Sequence, residues 1–186
     1  GETVPTTASL QDIVIFDGRF VVVGYAGTIL TSTDAHTWTR VESGVASALR
    51  GITFGEGRAV AVGDSGVIIT STDGLSWTPV ESNTLQALSR VRYGAGRFVA
   101  VGFVGTVNVS EDGINWSSRR ENFQSYATLA DLTFALNQFV IVGLSGVIVT
   151  TPNGDVLTQQ VSHTTRQLSA ITFGADEYVT VGGNLV

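Results

Sequence analysis

The chain has 186 residues, 43% of them apolar and 14% charged, with 22 glycines and 3 prolines, which is the composition of a globular protein and not of a disordered one. Cysteine, methionine and lysine are absent and all ten basic residues are arginine, which excludes a disulfide scaffold, a thiolate metal site, a cysteine nucleophile, a Schiff-base lysine and a P-loop NTPase. Sixteen acids bring the net charge to -6, a field that repels polyphosphate, so nucleic acid is not an expected ligand.

The first residues, Gly1-Glu2-Thr3-Val4-Pro5, have neither the basic n-region nor the apolar h-region of a signal peptide. A start at glycine reads as a processed or excised piece of a longer chain. No apolar run reaches the roughly 18 residues that span a bilayer, so membrane insertion is not expected.

From residue 10 onward the chain repeats itself. Leu10, Leu49, Leu88, Leu129 and Leu168 are spaced 39, 39, 41 and 39 apart, and so are Gly24, Gly63, Gly102, Gly143 and Gly182. Trp38, Trp77 and Trp116 repeat at 39, with Leu157 in the fourth equivalent place. A unit of about 40 residues with three hairpin turns points to a β-propeller blade and not to a solenoid coil, whose repeats are shorter. The expectation is one all-β domain over 1–186, with blades near 10–48, 49–87, 88–128 and 129–167. A fifth joins 168–186 to 1–9.

The second unit shows the elements in order. Strand A is Ile52-Thr53-Phe54, strand B Ala59 to Val62, strand C Val67 to Ser71 and strand D Trp77 to Glu81. Glycine-bearing turns separate them, because glycine accepts positive φ without steric cost. Expected blade cores are Ile13, Ile52, Val91, Leu132 and Ile171, with Ile15, Phe54, Tyr93, Phe134 and Phe173 two residues on, on the same face of strand A. In the fifth unit strand C only begins at Val186. Glu2 to Pro5 are candidates to pair with the last strands and close the ring, giving a monomer if closure succeeds and oligomers if it does not.

The turn after strand C reads Ser32-Thr33-Asp34-Ala35-His36-Thr37-Trp38, Ser71-Thr72-Asp73-Gly74-Leu75-Ser76-Trp77 and Ser110-Glu111-Asp112-Gly113-Ile114-Asn115-Trp116, with a degenerate fourth copy at Thr151 to Leu157. Such a carboxylate can accept the backbone N–H groups that follow it. Asp34, Asp73 and Asp112, with Trp38, Trp77 and Trp116, are therefore read as structural. Copies on separate blades do not converge as a catalytic site must. The motif resembles the Asp-box of bacterial neuraminidase repeats, one residue shorter between Asp and Gly. The whole repeat is similar to tandem propeller repeats of bacterial exported proteins and of photosystem II assembly factors. That resemblance implies a propeller fold and an exported location, whether periplasmic, cell-surface or secreted.

In a propeller the strand-A entrances and B–C turns share one face, and there the copies diverge. That face collects Tyr25, Phe103, Val104, Phe123, Tyr126 and Leu144 with Arg50, Arg90, Arg119 and Arg120. Aromatics beside arginines suit a protein partner or a sugar ring. Arg92 stands inside strand A where other copies have Val14, Thr53, Thr133 and Thr172. It needs a carboxylate across the central channel, and Asp12 and Asp131 are the candidates. His36 and His163 lie far apart in the repeat and form neither a metal pair nor a catalytic triad. The expected function is a non-catalytic binding propeller for a protein or a glycan, with no metal and no cofactor. The alternatives are a structural module of a larger exported protein and a glycosidase-related propeller using Asp12 and Asp131.

Overall fold

The structure, a computed structural model, describes residues 5–124 and 126–183. Those residues form an all-β propeller of five antiparallel blades. The first blade is β1 (Leu10–Phe16), β2 (Arg19–Gly24), β3 (Ile29–Ser32) and β4 (Thr39–Val41). The second is β5 (Leu49–Gly55), β6 (Arg58–Gly63), β7 (Ile68–Ser71) and β8 (Thr78–Val80). The third is β9 (Leu88–Gly94), β10 (Arg97–Gly102), β11 (Thr106–Ser110) and β12 (Ser117–Arg120). The fourth is β13 (Leu129–Ala135), β14 (Gln138–Gly143), β15 (Ile148–Thr151) and β16 (Thr158–Gln160). The fifth has two strands among the described residues, β17 (Gln167–Gly174) and β18 (Glu177–Gly183).

Two-residue loops join strands A and B. In the second blade Gly55 pairs with Arg58 across Glu56 and Gly57, whose φ values are 48° and 69°. Positive φ at both central residues is the type I′ geometry, whose twist matches that of the strands. Strand A starts earlier than the alternation in the sequence suggests, at Leu49 and not at Ile52. A bulge between Leu49 and Gly51 makes this possible, with Leu49 opposite Gly63 and Gly51 opposite Val62. A Cβ on Gly63 would run into the Ala48 carbonyl and lie 3.0 Å from the Leu49 Cα. The repeated leucine and the repeated glycine are therefore two sides of one close contact.

From the second blade on, strand A packs on strands A and B of the blade before it. Ile52 shares a core with Val21 and Val23, Val91 with Val60 and Val62, and Leu132 with Val99 and Val101. Full burial of such side chains stabilises the fold by about 1.5–3 kcal/mol each. The aromatic two residues on lies over the last residue of the preceding strand A. Phe54 sits 4.7 Å from Phe16 between ring centroids, while Tyr93 covers Gly55 and Phe134 covers Gly94. Ile13 and Ile15 depart from expectation, being exposed and not core. Among the described residues no blade lies before the first one to cover them. The expected closure by Glu2, Thr3 and Val4 lies outside the described residues. Pro5 precedes β1 in irregular structure.

Candidate partner-binding face

The B–C turns build this face, and the four that lie among the described residues are made the same way. The second turn residue is left-handed, with φ of 53° at Ala26, 57° at Ser65, 57° at Val104 and 58° at Ser145. The first residue donates its N–H to the carbonyl just ahead of strand A: Tyr25 to Ser9, Asp64 to Ala48, Phe103 to Ala87 and Leu144 to Thr128. Turn tips and strand-A entrances are thereby fastened side by side, and the first turn residue sets the chemistry there.

Arg50, at the entrance of β5, pairs with Asp64 at the tip of its own blade, Nη2 to Oδ2 at 3.2 Å and Nε to Oδ1 as well. Its guanidinium carbon lies 6.0 Å from the Tyr25 ring centroid and 5.9 Å from that of Phe103. The rings come from the first and third blades, so three blades meet at one charge. At these distances each ring face attracts the cation. The bond to Asp64 raises the Arg50 pKa further above its ordinary value, against the opposing effect of burial. Tyr25 and Phe103 remain 43% and 41% exposed.

Next to Phe103 in the chain, Val104 joins Arg120 and Tyr126 in lining a hollow of about 460 Å³. Val104 is β-branched in a left-handed conformation, which costs of order 1–3 kcal/mol and clusters at functional positions. Val104→Gly is expected to raise stability by about 1 kcal/mol, read as a higher urea midpoint with an unchanged slope. An unaltered midpoint would show that the turn carries no strain.

Other residues of the expected face lie elsewhere. Phe123 is buried in the core between the third and fourth blades, with Ala127. A large apolar ring is more stable there than at a wet rim, so it offers no surface to a partner. Leu144 folds half-buried onto the same core. Arg119 is drawn to the other end of strand C, where its Nη2 donates to the Gly154 and Asp155 carbonyls and its Nε to Glu121. It staples β12 to the C–D turn of the next blade. Arg90 turns into the channel, bonding the Arg50 carbonyl at 2.6 Å and standing 3.7 Å from Asp131.

The channel residues form bridges between blades. Asp12 accepts the N–H of Ile13 at 2.9 Å and that of Ile52, on the next blade, at 3.0 Å. Asp131 does the same with Leu132 and Ile171, both at 2.9 Å. Arg92 reaches Asp12 at 3.3 Å. Asp12 and Asp131, the candidate glycosidase pair, each have both oxygens engaged by backbone. Among the described residues no cluster of three metal-ligating side chains occurs. Asp64 is a site residue that sequence reasoning misses. The signal was present, since the turn tip at i+14 meets the strand entrance at i in this repeat.

The C–D turns occupy the opposite face. Asp73 Oδ1 accepts the N–H groups of Leu75 and Ser76 at 2.8 and 2.7 Å and the Ser71 hydroxyl at 2.9 Å. Asp34 and Asp112 repeat the pattern. Trp38 and Trp77 donate from Nε1 to the carbonyls of Ala35 and Gly74, while Trp116 is buried against Phe98. These backbone bonds hold the Asp73 carboxyl down at about 2 and push Asp34 and Asp112 lower still. A folded pKa below the unfolded value means stability that is full above about pH 4 and lost as pH falls toward 2. Asp73→Ala should lower the melting temperature by several degrees at pH 7 and by clearly less near pH 2, where the carboxylate is already partly protonated. A melting temperature unchanged at pH 7 would remove the structural role.

No family model matches the chain, and no curated protein matches it either. Solved structures do. YCF48 from Cyanidioschyzon merolae is 22% identical at a TM-score of 0.71, over 92% of this chain and 62% of that one. YCF48 bound to D1 peptide is 20% identical at 0.74, over 96% and 62%. Virginiamycin B lyase from Staphylococcus aureus is 13% identical at 0.85, over 97% and 66%. The chain thus spans about three fifths of the YCF48 structures it resembles. At these identities the likeness establishes the β-propeller fold.

Proposed function

We propose that this protein is a non-catalytic propeller that binds an extended protein segment on the face bearing the B–C turns. One observation carries the reading: Arg50 held by Asp64 between the half-exposed rings of Tyr25 and Phe103, across three blades. Aromatic and arginine side chains dominate the binding energy of protein interfaces. Here the guanidinium is already positioned, so little ordering cost remains on binding. A propeller of the same fold, YCF48, has been seen with a peptide bound. In this reading the Ser-x-Asp turns are Asp-box turns that keep the blades in register, and they leave the opposite face free for binding.

Selection from a random peptide library on the immobilised chain, with a glycan array probed in parallel, tests the class of partner. Enrichment of peptides that no longer bind a Tyr25→Ala/Phe103→Ala variant is the expected result. Glycan binding without peptide enrichment would overturn the assignment.

A further inference from the structure

The guanidinium at the centre of the binding face is already neutralised. Arg50 gives both Nε and Nη2 to the Asp64 carboxylate, and these form the fork that would otherwise grip a carboxylate of a partner. The same guanidinium lies over the Tyr25 ring and the Phe103 ring, so the attraction of those rings for a cation is met from within the chain. Arg90, Arg92 and Arg119 are engaged as well, by Asp131, Asp12 and Glu121. A net charge of -6 repels an acidic segment at long range. What the array still presents is the remaining surface of two aromatic rings, both about two fifths exposed. Arg50 is then a wedge between the rings and not a contact for charge.

The scaffold also fixes the spacing of the rings. Tyr25 and Phe103 stand on B–C turns tied by backbone hydrogen bonds to Ser9 and Ala87, on the blades either side of the one that carries Arg50. Their centres lie 6.0 and 5.9 Å from the same guanidinium carbon, and so no more than about 12 Å from each other. One turn of a polyproline II helix takes three residues and about 9 Å, which sets two prolines, three positions apart, against two such rings. Proline is uncharged and apolar, and a polyproline II segment is pre-formed, so docking it on aromatic side chains orders little chain. We infer that the segment bound at this face, on the reading proposed above, is a proline-rich stretch with two prolines three residues apart, one packed on Tyr25 and the other on Phe103. Asp64 sets this preference, because by filling the Arg50 fork it turns carboxylates away.

The test pans the whole chain with two peptide libraries of equal length, one with Pro-x-x-Pro fixed and one with Glu-x-x-Glu fixed at the same positions, the rest random. The first is expected to yield binders that the Tyr25→Ala/Phe103→Ala variant no longer retains, and the second none. In a recovered peptide, inserting one residue between the prolines, or replacing either by alanine, should weaken binding at least about tenfold. These changes leave the protein itself untouched. Affinity should move less than about twofold between low and high salt, since no charge pair forms across the contact. Asp64→Asn frees the fork and should bring Glu-x-x-Glu peptides onto the chain. Peptides held through Tyr25 and Phe103 without a proline pair would overturn this inference and leave the binding face standing. So would an affinity that falls steeply with salt, or an Asp64→Asn variant that still ignores acidic peptides. If neither these libraries nor a fully random one yields a peptide that depends on the two rings, both this inference and the proposed function fail.

Discussion

Phe98→Ala is expected to destabilise the protein by about 3–5 kcal/mol, read from the denaturant midpoint. Phe98 is fully buried, 4.7 Å from Tyr93 and 6.3 Å from Trp116 between ring centroids. It belongs to a core that takes Val60, Val62 and Ile68 from the second blade and Val91, Ala100 and Trp116 from the third. Removing the ring leaves a cavity walled by rigid strands on both sides, so collapse recovers little of the loss. Phe20 holds the same place in the first blade but is only half-buried, near Trp38 at 6.5 Å. Phe20→Ala should therefore cost clearly less. Equal losses at the two sites would mean that burial between blades is not what stabilises the repeat.

Gly66→Ala is expected to cost about 3 kcal/mol, the sum of a left-handed side chain and an overpacked contact. Gly66 has φ of 72°, and a Cβ there would run into the Thr84 carbonyl. That carbonyl belongs to the connection toward the third blade, so the turn cannot relax without moving a junction. Gly57 isolates the first contribution. Its φ is 69°, but nothing lies within 4 Å of the position of its Cβ. Gly57→Ala should cost about 1 kcal/mol, the conformational part alone. Similar losses at both glycines would show that the close approach to Thr84 is unimportant.

These contrasts show what could be read from the sequence and what could not. Spacing alone located the blades, because a leucine, a glycine and a tryptophan recur at contacts that every blade must make. The period-2 pattern starts strand A three residues late, since the bulge at Leu49 and Gly51 hides the pairing from it. Analogy with Ile52 and Phe54 puts Ile13 and Ile15 in cores, where the structure does not place them. Periodicity reports which side a residue faces, not whether a neighbouring blade is there to cover it. Phe123 escapes the pattern for a related reason, because the irregular connection after β12 has no period to follow, and Arg119 reads as part of that connection although it lies in β12. The Tyr25, Arg50 and Phe103 array joins residues 25 and 53 positions apart in sequence. Its members were legible singly, as divergent residues on one face, but their convergence needed the curvature of the arc.

The reading of that array as the binding centre is tested most directly by the affinity of a selected peptide, measured by calorimetry on four forms of the chain. For Arg50→Ala and for Tyr25→Ala/Phe103→Ala, a loss of at least about tenfold relative to the parent chain is expected, the scale of a single interface anchor. Leu75→Ala/Ile114→Ala removes two exposed apolar side chains from the C–D turns of the opposite face and should leave affinity unchanged. Binding that survives the first two variants, or that fails in the third, would contradict the account.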